Sequence, residues 1–192
     1  MWWDRHDWGA AMRVPAVVGS FPEPFRSGTA GKRFPVQVVC APAAGPACRE
    51  AKDRLAAAGV SFGSAAFGSP PGELTLRVVV GPWRQVRDDL VAGHLDQGPG
   101  ASGVFARPAA DGRAIALLDD RGRTRRTLAA GAGLVAATRL RNRSPTWVLT
   151  GTDAAGALAA ARSLTAHALR NRFAVALDRG RPVALPIVEP AR

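Results

Sequence analysis

The chain has 192 residues, close to half of them hydrophobic, and a formal net charge of +11 carried almost wholly by arginine, because Lys32 and Lys52 are its only lysines. That length buries one full core and excludes two large domains, and no run nears the ~18 apolar residues that a membrane-spanning helix needs. The surplus charge attracts nucleic acid, phosphates or anionic surfaces without choosing among them, and the skew towards Arg, Ala, Gly and Pro also fits a GC-rich coding bias.

Residues 1–33 mix Trp2, Trp3 and Trp8 with Gly and Pro and hold no sustained period of 2 or 3.6. They read as an irregular arm, which can dock on its own domain, on a partner or at an interface. The arm lacks the basic start and apolar middle of a secretory signal, so the expected location is cytoplasmic unless an export segment lies upstream. A single α/β domain is expected over 34–192, with a possible subdivision at the Gly/Pro/Ser loop 63–72.

Phe34 to Val39 is the first credible strand, and Gly45-Pro46 then opens a helix to about Ala58 that Gly59 ends. Cys48, Ala51 and Leu55 fall on one face of that helix and should point inward. Cys40 closes the strand. The two cysteines are either buried free thiols or a disulfide pinning the helix to the preceding loop. They are too few for a disulfide scaffold and, without histidines, for a structural zinc site.

With GPACREAKDRLAAAGVSF following its strand, the stretch from Phe34 to Phe62 resembles a glutaredoxin-like opening. The resemblance implies a thiol motif at the head of the helix. Gly45 stands where the attacking cysteine would be and Cys48 matches only the second one, so ordinary dithiol exchange lacks its nucleophile.

Glu73 to Val80 is a strong strand that runs into Gly81-Pro82-Trp83, with Val86, Leu90 and Val91 at helical spacing over Arg84 to Leu95. The same construction returns at Trp147 to Leu149. There the strand meets Gly151, Thr152 or Asp153 caps a helix over about Ala154 to Arg170, and Phe173 to Leu177 restarts a strand. Parallel crossovers place ligands at the carboxyl ends of strands, which makes Gly81, Trp83, Arg84, Gly151, Thr152 and Asp153 a candidate ligand rim. Free N–H groups of a helix start hold anions there, and the Trp83 ring suits a sugar. The competing reading is an ordinary capped turn. GTDAAG has neither the GxGxxG pattern nor a lysine after Gly156.

Between the two copies, Ser102 to Arg107 and Arg113 to Asp119 form a predicted hairpin around Asp111-Gly112. After the next turn, at Asp119-Asp120-Arg121-Gly122, the cluster Arg121, Arg123, Arg125 and Arg126, with Arg139, Arg141 and Arg143 beyond, is an anion or nucleic-acid candidate. Stacking aromatics are missing from it, and a solvated loop is its plain alternative. Leu134 to Leu140 is a strand or a short helix. Pro182 to Val188 is suited to a sheet edge.

Ser163, His167 and Arg170 share one side of the predicted helix, without the strained turn or orienting carboxylate that a serine nucleophile requires. His6 and His94 lack further ligands at metal-binding spacing. No catalytic residue, metal or cofactor is expected.

On VVVGPW, SGVFAR and TWVLTGTDAAGALAAA, the stretch Leu74 to Leu177 resembles flavodoxin-like modules of cell-envelope proteins, including non-catalytic domains of the cellulose synthase regulatory subunit and of some surface-layer proteins. The resemblance implies an extracytoplasmic binding or scaffolding module with a protein or glycan partner. The expected architecture is α/β: a mainly parallel, flavodoxin-like or Rossmann-like sheet with helices packed on it and an antiparallel hairpin or edge strand. A basic nucleic-acid or anion-binding protein, and a thioredoxin-like thiol protein, are the alternative functions.

Overall fold

The computed structural model describes residues 21–27, 34–70, 72, 75–140 and 145–188. Trp2, Trp3, Trp8, His6, Arg141 and Arg143 lie outside them. The strands are β1 (Val36–Cys40), β2 (Phe62–Ala65), β3 (Leu76–Pro82), β4 (Ala106–Pro108), β5 (Ile115–Leu118), β6 (Thr124–Leu128), β7 (Gly133–Thr138), β8 (Thr146–Gly151), β9 (Ala174–Asp178) and β10 (Arg181–Ala184). The helices are α1 (Glu23–Ser27), α2 (Gly45–Ala57), α3 (Trp83–Val86), α4 (Pro99–Ser102) and α5 (Ala154–Arg162), with a 3-10 turn at Ala92–Gln97.

Seven strands form one sheet in the order β10-β9-β7-β8-β3-β1-β2, and β4, β5 and β6 form a second, antiparallel sheet. In the large sheet β2, β1, β3 and β8 are parallel neighbours, while β7 and β10 run against the rest. The fold is therefore mixed α/β with a mostly parallel main sheet. β3, β7 and β8 are buried along nearly their whole length, which explains why they read as continuous apolar runs.

α2 and α5 pack on each other and cover one face of this sheet. Gly133, Gly151 and Gly156 make the close approach: a Cβ on Gly156 would sit 2.0 Å from the Ala132 carbonyl oxygen, and one on Gly151 would sit 2.4 Å from the Ala157 nitrogen. At the lower end of this face Trp147 meets Phe25 of α1 at 5.6 Å between ring centroids, so part of the N-terminal arm docks on its own domain. Alternation along β3 and β7 turns Arg77 and Thr138 to the opposite face. There Arg77 meets Asp89, and the Thr138 hydroxyl donates to the Ser102 carbonyl at 2.9 Å, so the segment after α3 covers the second face.

Several expectations are corrected. The strand-helix-strand unit at Thr146 to Leu177 is present with β8 and β9 pointing the same way, but β7 lies between them, antiparallel to both. α5 stops at Arg162 instead of Arg170. The Ser163 N–H is shared between two carbonyls and the Thr165 hydroxyl accepts from the Ala168 N–H, an alternative to helix that hydroxyl residues offer the backbone. Ser163 and His167 are thus not one turn apart on a helix. The helix expected over Arg84 to Leu95 is only the single turn α3, and Ser102 ends α4 instead of opening a strand. β2 occupies part of the stretch read as a loop. Leu134 to Leu140 resolves as strand β7.

Candidate functional site

The rim proposed from the two Gly-ended strands is assembled, with Trp83 buried, Thr152 and Asp153 bonded to backbone groups, and Arg84 exposed. β3 and β8 are parallel neighbours in register, with Gly81 opposite Thr150 and Pro82 opposite Gly151, so both turns leave the same end of the sheet. Asp153 caps α5 by accepting from the Gly156 N–H at 2.8 Å, and its other carboxylate oxygen accepts from the Gly131 N–H at 2.7 Å. The Thr152 hydroxyl accepts from the Ala132 N–H and donates to the Ala129 carbonyl. Trp83 is 1 % exposed, so it offers no open ring to a sugar. Arg84 lies against the Asp111-Gly112 turn, where a Cβ on Gly112 would meet its side chain at 2.5 Å. These residues hold the turns together.

The cysteines are joined. A Cys40–Cys48 disulfide ties the end of β1 to the first turn of α2, with 5.8 Å between the Cα atoms. Ala47, Ala51 and Leu55 form the buried stripe of α2, and Cys48 sits at its margin. His94 is also committed internally, its Nε2 2.7 Å from the Ala101 carbonyl oxygen. Burial pushes its pKa below the usual value against the opposing pull of Asp96. Among the described residues no three His, Cys, Asp or Glu side chains converge as metal ligands.

The arginine cluster is a different case. β5 ends at Leu118 and the chain reverses through Asp119-Asp120-Arg121-Gly122, with Gly122 at a φ of 75° that favours glycine. Asp119 organises this turn with both oxygens. Oδ1 accepts the backbone N–H of Arg121 at 3.0 Å and of Arg123 at 2.9 Å, while Oδ2 accepts Nε of Arg123 at 3.0 Å and of Arg125 at 2.9 Å. Partial burial works against ionisation of this carboxylate. It is outweighed by the Arg123 N–H, the Arg123 and Arg125 side chains and the Arg121 N–H, which hold its pKa at about 2.

Beside the turn lies an open groove of about 360 Å³, lined by Asp119, Asp120, Arg121, Arg123, Arg125, Ile187 and Val188. The C-terminal segment supplies the apolar wall and is fastened by the Ile187 N–H, which donates to the Leu118 carbonyl at 2.8 Å. Three guanidinium groups face two carboxylates, and Asp119 engages Arg123 and Arg125 through Nε, fixing the direction of each guanidinium fork. Such a wall can take carboxylate or phosphate oxygens side-on.

Arg126, grouped with the others by sequence, points the other way along β6 and pairs with Asp178. β6 shifts register against β5 here, with Arg126 opposite Leu117 and Thr124 opposite Leu118, which leaves Arg125 as the extra residue of a bulge. Ile187 and Val188 escaped sequence reasoning because only the tertiary path of the tail brings them to the turn. Asp119 carried a usable signal, since an Asp two and four residues before exposed donors is the pattern of a side-chain-stabilised turn.

No protein-family model, curated protein sequence or solved structure matches this chain.

Proposed function

We propose that the protein is a non-catalytic binding module of the cell envelope that holds an anionic partner in the groove between the Asp119 turn and the C-terminal segment. The observation that carries this reading is the Asp119 carboxylate with its four donors, which arranges Arg123 and Arg125 along one wall before any ligand arrives. Pre-arranged guanidinium groups avoid part of the ordering cost that exposed arginines otherwise meet on binding. The overall charge of +11 adds a long-range attraction for the same class of partner.

Two features support the location. The Cys40–Cys48 disulfide belongs to oxidising compartments, and the flavodoxin-like resemblance of Leu74 to Leu177 points to envelope modules. No helix among the described residues is long and apolar enough to cross a membrane. The buried Trp83 moves the proposed contact from a stacked sugar ring to an acidic group on a protein or an acidic glycan.

The test is a titration of fluorescein-labelled oligoglutamate by anisotropy at several salt concentrations. Binding is expected to weaken with salt and to fall about tenfold or more when Arg121, Arg123 and Arg125 are all changed to Ser. Arg121→Ser alone leaves the side-chain bonds to Asp119 intact, and is expected to weaken binding without lowering Tm. Unchanged affinity in a folded triple variant overturns the groove. Tighter binding of random double-stranded DNA, with a steep salt slope, would favour the nucleic-acid alternative.

A further inference from the structure

We infer that the groove receives a polypeptide segment in which one acidic side chain stands beside aliphatic ones, the acid on the arginines and an aliphatic group against Val188. The inference rests on the anionic-partner reading above and narrows the partner. One wall of the groove is apolar. Ile187 packs on the core, and the next residue, Val188, is 81 % exposed where it lines the groove. Among the described residues the exposed large hydrophobics are Leu90 and Val188, and of these Val188 borders the arginine cluster. A scattered exposed aliphatic is ordinary on a protein surface. This one is held in place: Leu118 donates its N–H to the Phe105 carbonyl and accepts the Ile187 N–H, which pins the tail on the side of β5 that faces β4.

The facing wall is charged and equally fixed. Arg125 is the extra residue of the β6 bulge, a device that re-aims a side chain, and its Nε is held by Asp119 together with that of Arg123. Three arginines against two aspartates leave one positive charge in the lining. Asp119 is already taken up by its four donors, whereas the exposed Asp120 repels any second acid brought into the groove. The lining therefore matches one carboxylate better than a run of them.

The apolar wall selects the source of that carboxylate. An acidic glycan or a nucleic acid repeats its charge along the chain, brings further charges towards Asp120 and carries no aliphatic side chain for Val188. No aromatic side chain lines the groove to stack a base or a sugar. A polypeptide can set a Glu or Asp directly beside a Leu, Ile or Val, so that one residue meets the guanidinium groups while its neighbour covers Val188.

The experiment titrates the nitrogen-15-labelled full chain with three capped octapeptides in a Gly/Ser background and follows the amide shifts. The first carries a central Glu flanked by Leu, the second a central Glu flanked by Ser, and the third a central Gln flanked by Leu. The first is expected to shift the amides of Arg121, Arg123, Arg125 and Val188 and to bind about fivefold or more tightly than either of the others. In Val188→Ser, whose exposed position leaves Tm unchanged, the Leu-flanked Glu peptide should fall to within about twofold of the Ser-flanked one. Equal binding of the two Glu peptides, or a Leu preference that survives Val188→Ser, overturns the inference, while salt-dependent binding of oligoglutamate keeps the anionic groove. Equal binding of the Gln and Glu peptides overturns the acid contact. Failure of the Leu-flanked Glu peptide and of oligoglutamate alike overturns both readings. Co-sedimentation with phosphatidylglycerol vesicles that Val188→Ser abolishes overturns the polypeptide in favour of an anionic lipid surface.

Discussion

The turns after β3 and β8 leave the same end of the same sheet, from strands paired in register, yet one starts a nine-residue helix and the other a single turn. The difference lies in where each aspartate spends its carboxylate. Asp153 sits at the head of α5 and accepts from the Gly156 N–H, satisfying a donor that the helix itself leaves open. Asp89 stands six residues past Trp83, where its Oδ1 accepts the Val91 and Ala92 N–H groups at 3.0 Å, while both oxygens meet the Arg77 guanidinium, the closer contact being 2.8 Å. That capture removes the backbone donors a continuing helix would need. Leu90 is left 57 % exposed between buried Val86 and Val91, although helical spacing would have put all three on one face.

The largest effect is expected at Asp89. The Arg77 side chain is fully buried and that of Asp89 is 3 % exposed, so removing the carboxylate strands a buried guanidinium. Asp89→Ala is expected to cost about 3–5 kcal/mol. Urea unfolding measures it, with Asp153→Ala as reference. Replacing Arg77 and Asp89 together by Met and Leu should recover much of the loss, since no charge is then left buried alone. A cost for Asp89→Ala within about 1 kcal/mol of the Asp153 variant would sink the account.

A smaller effect is expected at Asp153. Its carboxylate serves one helix-start donor and the Gly131 N–H in the loop before β7, so Asp153→Ala should cost about 1–2 kcal/mol, while Asp153→Asn should retain part of this by keeping one acceptor. Hydrogen exchange at Gly156 and Gly131 is the direct readout. Both amides should exchange faster in the alanine variant, and unchanged protection at both would show that the cap does not hold the turn.

These same residues show what can be read from residue order and what cannot. Strands β1, β3, β8 and β9 were legible because runs such as RVVV and WVL leave few alternatives when both faces are buried. The cap was legible to within one residue, as Thr152 or Asp153, because it acts on a donor three residues away. Asp89 was not, since its decisive partner, Arg77, lies on the preceding strand and only the pairing of β3 into the sheet aims it there. The insertion of β7 between β8 and β9 was hidden for the same reason: a crossover helix spans one strand or two with equal ease. At the arginine cluster, sequence brought together Arg121, Arg123 and Arg125 correctly as neighbours. It could not separate Arg126 without the register of β6, nor supply Ile187 and Val188, which arrive from more than sixty residues downstream.

Asp119 extends the comparison to the surface, where a third aspartate gathers four donors but buries no lone charge if it is lost. Its native pKa of about 2 lies below the ordinary 3.8, so the folded state favours the ionised form. The sign follows from linkage: the contribution is complete above about pH 4 and disappears as pH falls towards 2, because the unfolded chain takes up the proton first. The stability difference between the parent and Asp119→Asn should therefore be largest above about pH 4 and shrink on acidification. His94 titrates in another window. Its lowered pKa makes the native state prefer the neutral ring, so its contribution is present above about pH 6.5 and declines below that, before Asp119 begins to change. Thermal unfolding of parent and Asp119→Asn between pH 2 and pH 5 separates the two groups. A difference that stays constant across this range would mean that the four donors hold the turn without holding the charge, and the guanidinium wall of the groove would then lose its organising group.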